Sequence, residues 1–504
     1  MLISPALTTG TTPALNKSAT PNKDPALNVL PGNATPSNAT KVTLQSGQAG
    51  DSSADLTYFV PRKTLTFASS ANDNISQVML NNIWSSTPYS GVSDLFKGLG
   101  GALLERFSVT QDAYQQTLAE SWSSDVSESA NLEGVDAATE LSATENTIGL
   151  TLTTVSKKQI EILIAFDNQN QDSGNRLSVQ IKTSAELSSQ ECKALAALSK
   201  GFESTLQSIG QNLTTDRPSR LSTIDVAGLL DFDPQVLSGI DLKVDASNQF
   251  VGLQALTLHA DTSRRSLTMQ GIDGELSIDV DLSNASIRGT PEQQKAAIDR
   301  YLTQFDQANA RAQGQEQLIG QFKSAFAQLQ SNYPAAEINT ATSRSAAFNI
   351  ARDQWLSGLA DFQAHMGGEF SSGAIDNDKT TGKLDYQISQ KTTLVGRGNK
   401  LSASQEVASV LSATIIKCRD GGPYQKTGNY DITQINDRSN VKTDFTIATT
   451  QNGVSYIELA TRSEIIKQML EFKKVVNHEV EEQFKLPTES KSTDVVVNNS
   501  RTVN

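Results

Sequence analysis

The chain is 504 residues long, with a formal net charge of −13, 37% hydrophobic and 6% aromatic residues. That length suits roughly three domains of ~150 residues and allows a sizeable core. The acidic balance argues against a nucleic-acid backbone or an anionic membrane surface as partner, since both require clustered Lys and Arg.

Residues 1–54 read as a disordered leader of Thr, Ala, Asn and Pro. The tract repeats Pro5-Ala6-Leu7, Pro13-Ala14-Leu15 and Pro25-Ala26-Leu27 and carries little apolar surface to offset chain ordering. It opens Met1-Leu2-Ile3-Ser4, without the basic residues and the roughly 7–15-residue apolar core of a secretory signal. Two placements follow as alternatives: cytoplasmic, or exported by a non-Sec route that reads such a leader.

Residues 55–215 are expected to form an α+β module. Leu56 to Phe67 reads as strand, and Ser93 is placed as the N-cap of a helix carrying Leu95, Phe96, Leu99, Leu103 and Phe107. Between Phe107 and Ser156 there is no Lys or Arg, while Asp112, Glu120, Asp125, Glu128, Glu133, Asp136, Glu140 and Glu145 accumulate. These acids lack EF-hand spacing, so 108–146 reads as a solvated acidic linker. Period-two alternation then marks three antiparallel strands through Ile148-Leu150-Leu152, Ile160-Ile162-Ile164-Phe166 and Leu177-Val179-Ile181. Ser188 and Glu191 have capping-box spacing ahead of Leu195, Leu198, Phe202, Leu206 and Ile209, with Gly210 as the stop.

Residues 216–289 read as an antiparallel β segment, a meander through Ile240-Leu242-Val244, Leu256-Leu258, Leu267-Met269 and Leu276-Ile278-Val280-Leu282. Residues 290–368 read as helical. Thr290-Pro291 supplies an N-cap hydroxyl and a first-turn proline, and Gln293 completes a box. Three apolar stripes follow, on Ile298-Leu302-Phe305, Leu318-Phe322-Phe326-Leu329 and Trp355-Leu359-Phe362-Met366, the last ending at Gly367-Gly368.

Residues 369–487 read as β hairpins plus a C-terminal helix. Strands are expected at Tyr386-Ile388, Val407 to Ile416, Tyr430-Ile432 and Phe445-Ile447, the last joined across Asn452-Gly453 to Tyr456-Ile457. The helix carries Ile465, Met469, Phe472, Val476 and Val480, and residues 488–504 read as a disordered tail. The fold class is therefore α+β, with antiparallel sheets, packed amphipathic helices and disordered ends. No run approaches the ~18 apolar residues of a membrane helix, so a soluble chain without membrane insertion is expected.

Chemistry-bearing motifs are incomplete. Cys192 and Cys418 lack Cys-x-x-Cys or Cys/His neighbours, which leaves a single bridge between them as the one disulfide to consider. Gly98-Leu99-Gly100-Gly101-Ala102-Leu103 has Leu103 where a dinucleotide loop needs its third glycine, and reads instead as a small-residue helix face. His259, His365 and His478 are the only histidines; His478-Glu479 lacks a second His, His259 is in a strand, and His365 is placed near a helix end. Lys426-Thr427-Gly428 has no Ser-x-x-Lys before it and reads as a turn, and Gly91-Val92-Ser93 lacks the second glycine of a nucleophile elbow. Asp279 and Asp281 share a strand face and Asp231-Phe232-Asp233-Pro234 offers a second carboxylate pair; solvated and turn roles are the expectation for both. No catalytic, cofactor-binding or metal-binding residue is assigned, and no cofactor is expected.

The stretches Phe96-Lys97-Gly98-Leu99-Gly100-Gly101-Ala102-Leu103-Leu104-Glu105, Leu230-Asp231-Phe232-Asp233-Pro234 and Gly289-Thr290-Pro291-Glu292-Gln293 resemble an uncharacterised family of proteobacterial proteins, as does Lys41-Val42-Thr43-Leu44-Gln45-Ser46. Members are sometimes labelled lactate dehydrogenase. That label implies a Rossmann domain, a catalytic His and a substrate-binding Arg, none of which maps onto a position here. Val42-Thr43-Leu44 is also similar to short segments after disordered leaders in flagellar-associated proteins. The expected function is a non-enzymatic structural or interaction protein of a bacterial envelope, motility or secretion system, with other proteins as partners. The alternatives are a cytoplasmic oxidoreductase and a secreted effector.

Overall fold

The computed structural model describes residues 62–85, 92–123, 146–167, 175–213, 222–246, 252–334, 346–374, 377–397, 399–419 and 428–496. All belong to the unit Pro61–Asn504. The expected leader, the strand start at Leu56, most of the acidic linker, Lys426 and Thr427 lie outside the described residues.

Fifteen described strands join one sheet in which each pair of neighbours is antiparallel. They are β1 (Arg62–Phe67), β2 (Tyr114–Ser123), β3 (Asn146–Thr154), β4 (Gln159–Asp167), β5 (Arg176–Thr183), β6 (Leu237–Asp245), β7 (Leu253–Asp261), β8 (Arg264–Gly271), β9 (Gly274–Asp281), β10 (Asp361–Ala374), β11 (Asn377–Arg397), β12 (Lys400–Cys418), β13 (Tyr430–Thr449), β14 (Ser455–Val476) and β15 (Glu479–Val496). From β6 onward strand order follows chain order, as consecutive hairpins require; before it the order is β1-β2-β5-β4-β3. The fold is mixed α+β and strand-dominated.

Alternation explains which face is covered. Ile148, Leu150 and Leu152, Ile240, Leu242 and Val244, and Leu276, Ile278 and Val280 are buried in one core, while their neighbours Asp241, Lys243 and Asp245 are exposed. Burying one such aliphatic side chain is worth about 1.5–3 kcal/mol, enough to fix the register of each strand. The helical partners are α1 (Asn74–Ser85), α2 (Val92–Phe96), α3 (Leu99–Glu105), α4 (Ser189–Ala197), α5 (Ser199–Asn212), α6 (Ala227–Leu230), α7 (Pro291–Ala312), α8 (Glu316–Leu329) and α9 (Ala346–Trp355). A second, smaller cluster packs Phe348 and Ala351 of α9 on Ala403, Phe445, Ile447 and Ala460 of β12–β14.

The expected strands β3–β5, the meander β6–β9, and the hairpin at Asn452-Gly453 are present, with Gly453 at φ 82° in the turn. The capping box is complete: Glu191 N donates to Ser188 Oγ and Ser188 N to Glu191 Oε2. Thr290 caps α7, but the Gln293 amide turns away to the Arg352 and Leu356 carbonyls, so that box is half made.

Several expectations are corrected. Ile465 to Val480 is no helix: it spans β14, a two-residue turn at Asn477 and His478, and the start of β15. Ile466, Leu470 and Phe472 also satisfy a period of two, and pairing along the whole of β13 outweighs helix propensity. β15 runs through Val496, so residues 488–496 are strand rather than tail. The third stripe of 290–368 breaks after Trp355, and Phe362 and Met366 lie in β10, paired to Val280 and Leu276 of β9. The helix starting near Ser93 is two, split at Gly98, with Ser93 inside the first. Gly210 lies within α5, close against Ser93. Residues 114–123 of the acidic linker form β2, and α1 carries no signal that the sequence reading used.

Candidate functional site

Helical cover ends before the sheet does. α7 crosses β12 and α9 crosses β13 and β14. Between these helices and the underlying face of β11–β14 lies a groove of about 680 Å³, within the usual size of a ligand site.

Register fixes the floor. Gln405 sits beside Thr443 and Arg462, Val407 beside Val441 and Glu464, Ser409 beside Ser439 and Ile466, and Leu411 beside Asp437 and Gln468. These rows share a face with Ala403, Phe445 and Ala460, the residues under α9. The floor strands are paired on both sides, so their backbone donors and acceptors are consumed by the ladders. Recognition there falls to side chains.

One wall is α7, whose Arg300, Gln304, Gln307 and Arg311 recur at helical spacing along the groove. The other is the end of α9 and the residues after it, with half-buried Trp355. The inner end is a polar network. Tyr301 donates to Gln390 at 2.9 Å, and Gln390 donates to the Leu359 and Ala360 carbonyls. Gln405 accepts from Ser357 N at 2.9 Å and donates to Thr392 at 3.0 Å. Burial pushes the phenols of Tyr301 and Tyr386 above their ordinary range.

Charge is unevenly paired. Arg311 binds Asp437 through Nε and, at 3.2 Å, through Nη2. Asp353 pairs with Arg352 at 2.7 Å. Arg300 and Arg462 are exposed and make no ion pair among the described residues, and neither does half-buried Glu464. Arg300 adjoins Tyr301 on α7, and Arg462 stands in the row of Gln405 and Thr443, so both belong to the end of the groove that holds the polar network.

The positions singled out by sequence lie elsewhere. Asp279 is held by Arg264 through Nε at 2.9 Å and Nη2 at 2.6 Å, and Asp281 accepts from Ser283 N. Asp233 accepts from Gln235 N in a turn, and Asp231 follows the last residue of α6. His259 stands between Asp241 at 2.7 Å and Asp261 at 3.3 Å on the exposed sheet face. Desolvation lowers its pKa, but the two carboxylates outweigh this and raise it. The Ser263 hydroxyl nearby donates to Asp261 rather than to the imidazole. His365 is corrected from a helix end to strand β10, where it meets Asp385 at 3.0 Å. His478 N donates to Gly428 O in the turn before β15. Cys192 and Cys418 are buried free thiols. Among the described residues no cluster of three or more His, Cys, Asp or Glu has the arrangement of a metal site, and no helix is long and apolar enough to cross a membrane.

The glycine run has a packing role. Gly98, at φ 74°, and Gly101 donate their N–H groups to the two oxygens of Glu203, at 2.6 and 3.1 Å. A Cβ on Gly100 would come within 2.9 Å of Glu203 backbone. The carboxylate thus stands at the start of α3, where a bound phosphate would stand in a dinucleotide loop.

Sequence reading missed the groove because its residues come from separate segments spread between Gln293 and Gln468. The recurrence of Arg300, Gln304, Gln307 and Arg311 along a helix face was the available signal. No family model, no curated protein and no solved structure matches the chain.

Proposed function

We propose that this chain is a non-enzymatic interaction protein that holds its partner in the groove between α7, α9 and the face of β11–β14. The observation that carries this reading is the unequal pairing of charge over a floor of hydroxyl and amide side chains. Among the described residues, Arg300, Arg462 and Glu464 make no ion pair, beside the well-bonded Arg311 and Asp437. Unpaired polar groups in a concave site are what a ligand completes. Action within a bacterial envelope, motility or secretion system, with the leader as export signal, belongs to the same proposal and is supported by the composition of residues 1–50.

Amide hydrogen exchange of the full chain, before and after incubation with fractionated cell extract, tests it. New protection in 296–311 and 403–468, with the extract chemically unchanged, is the expected result. Turnover of an extract component without that protection replaces the reading with an enzymatic one.

A further inference from the structure

We propose that the groove takes a hydroxyl-rich, carboxylate-bearing oligosaccharide, with Arg300 and Arg462 reading its carboxylates. This rests on the reading of the groove as the binding site. An extended peptide gains affinity through main-chain hydrogen bonds to a free strand edge. The groove offers none, because β12, β13 and β14 are each paired on both sides. What lines it instead is Ser439, Gln304, Gln307 and Gln468 with the buried Ser409 and Thr443, groups that both donate and accept; Gln304 already donates to Ser409 and Gln468 to Asp437, each at 3.4 Å. A ligand dense in hydroxyls matches such a lining, since each hydroxyl is itself donor and acceptor.

Two further features set orientation and charge. Trp355 presents an aromatic surface in the wall, suited to the apolar C–H face of a sugar ring. Once the Arg311–Asp437 pair is set aside, Arg300, Arg438 and Arg462 line the groove with two carboxylates, Glu464 and Asp353, and Asp353 is already paired with Arg352 at 2.7 Å. In a chain of net charge −13, a locally cationic groove selects an anionic ligand, and planar guanidinium forks match carboxylates.

The test is calorimetric titration of the full-length protein at fixed salt with three probes: tetragalacturonate, neutral maltotetraose and hexaglutamate. Tetragalacturonate is expected to bind at least tenfold more tightly than maltotetraose. Arg300→Gln and Arg462→Gln should each weaken it about tenfold, while Glu464→Gln, which removes a repelling charge, should strengthen it. All three side chains are exposed or half-buried, so the variants should keep their circular dichroism spectra. Hexaglutamate binding as tightly, with the same arginine dependence, overturns the proposal in favour of an acidic-peptide groove. Loss of the arginine dependence overturns it as well. If tetragalacturonate fails while cell extract still protects the groove from exchange, the ligand class falls and the groove reading stands; if neither protects it, both fall.

Discussion

Arg265 Nη1 donates to the backbone carbonyl of Leu329 at 3.2 Å, tying the middle of the sheet to the C-terminal end of α8. The same guanidinium reaches Ser331 O at 2.6 Å, Asn332 O at 2.7 Å and Leu230 O at 3.3 Å. Its side chain is fully buried, and no carboxylate pairs with it among the described residues. The cation is held by the negative ends of α6 and α8, whose last carbonyls lack intrahelical donors. Desolvation brings its pKa down to about 10, so it stays charged at neutral pH.

Replacing Arg265 therefore removes the donors for four carbonyls at once. Arg265→Met should cost about 3–5 kcal/mol, the range for breaking a buried charged network. Arg265→Lys keeps the charge but has three donors on one atom, and should recover only part of that. Urea unfolding midpoints check the order wild type, Lys, Met; a Met variant as stable as wild type would show that these bonds are dispensable.

Neighbouring glycines in the Gly98–Gly101 turn should respond oppositely to alanine. A Cβ at Gly100 meets Glu203 backbone at 2.9 Å, whereas at Gly101 nothing lies within 4 Å. Gly100→Ala should destabilise by about 1–3 kcal/mol through overpacking. Gly101→Ala, inside α3 with its N–H still on Glu203, should stabilise by about 0.5–1 kcal/mol. Thermal midpoints moving the same way for both variants would contradict this close approach of α3 and α5.

Where one local rule acted alone, the sequence was legible. The strand around Ile148 alternates strictly and those around Ile162, Val179, Leu242 and Ile278 alternate over most of their length, and the Ser188–Glu191 box and Asn452-Gly453 turn rest on short-range geometry. Where two periods fit, the longer-range partner decided. Ile465 to Phe472 satisfies both a helix stripe and a strand, and pairing to the 20-residue β13 on one side and to β15 on the other selects the strand. Arg265 shares its strand parity with Leu267 and Met269, so a cation was legible at a core position; its acceptors were not, because they lie 35 to 67 positions away. The groove is less legible still, since it exists only where α7, α9 and four strands converge.

Acid should act through Glu191. Burial raises its pKa, but hydrogen bonds from Ser156, Ser188 and Lys158 outweigh that and bring it down to about 2. A carboxylate depressed below its unfolded value stabilises the fold above the unfolded pKa, near 4.5, and that contribution is lost as pH falls from there towards 2. Glu191→Gln should lower stability at pH 7 by roughly 2 kcal/mol, as loss of charge-assisted bonds implies. It should also flatten the decline between pH 4.5 and 2. Parallel urea midpoint curves for wild type and variant across that window would remove Glu191 from the account.

The free edge of the sheet invites a last test. Among the described residues β15 is paired only to β14, and Pro487 stands opposite Met469 in that ladder. Met469 N donates towards β13, to Asp437 Oδ1 at 3.2 Å, so the Met469–Pro487 pair is not a hydrogen-bonded one. The ring nitrogen of Pro487 then faces the open edge, where it interrupts the row of donors that another strand would need. Glu481, Glu482, Lys485 and Glu489 flank it with charge. Pro487→Thr restores the missing donor and should raise the solution mass at high protein concentration, read by light scattering after gel filtration. An unchanged mass for Pro487→Thr, together with an increase for Lys485→Val, would assign protection of the edge to charge rather than to proline.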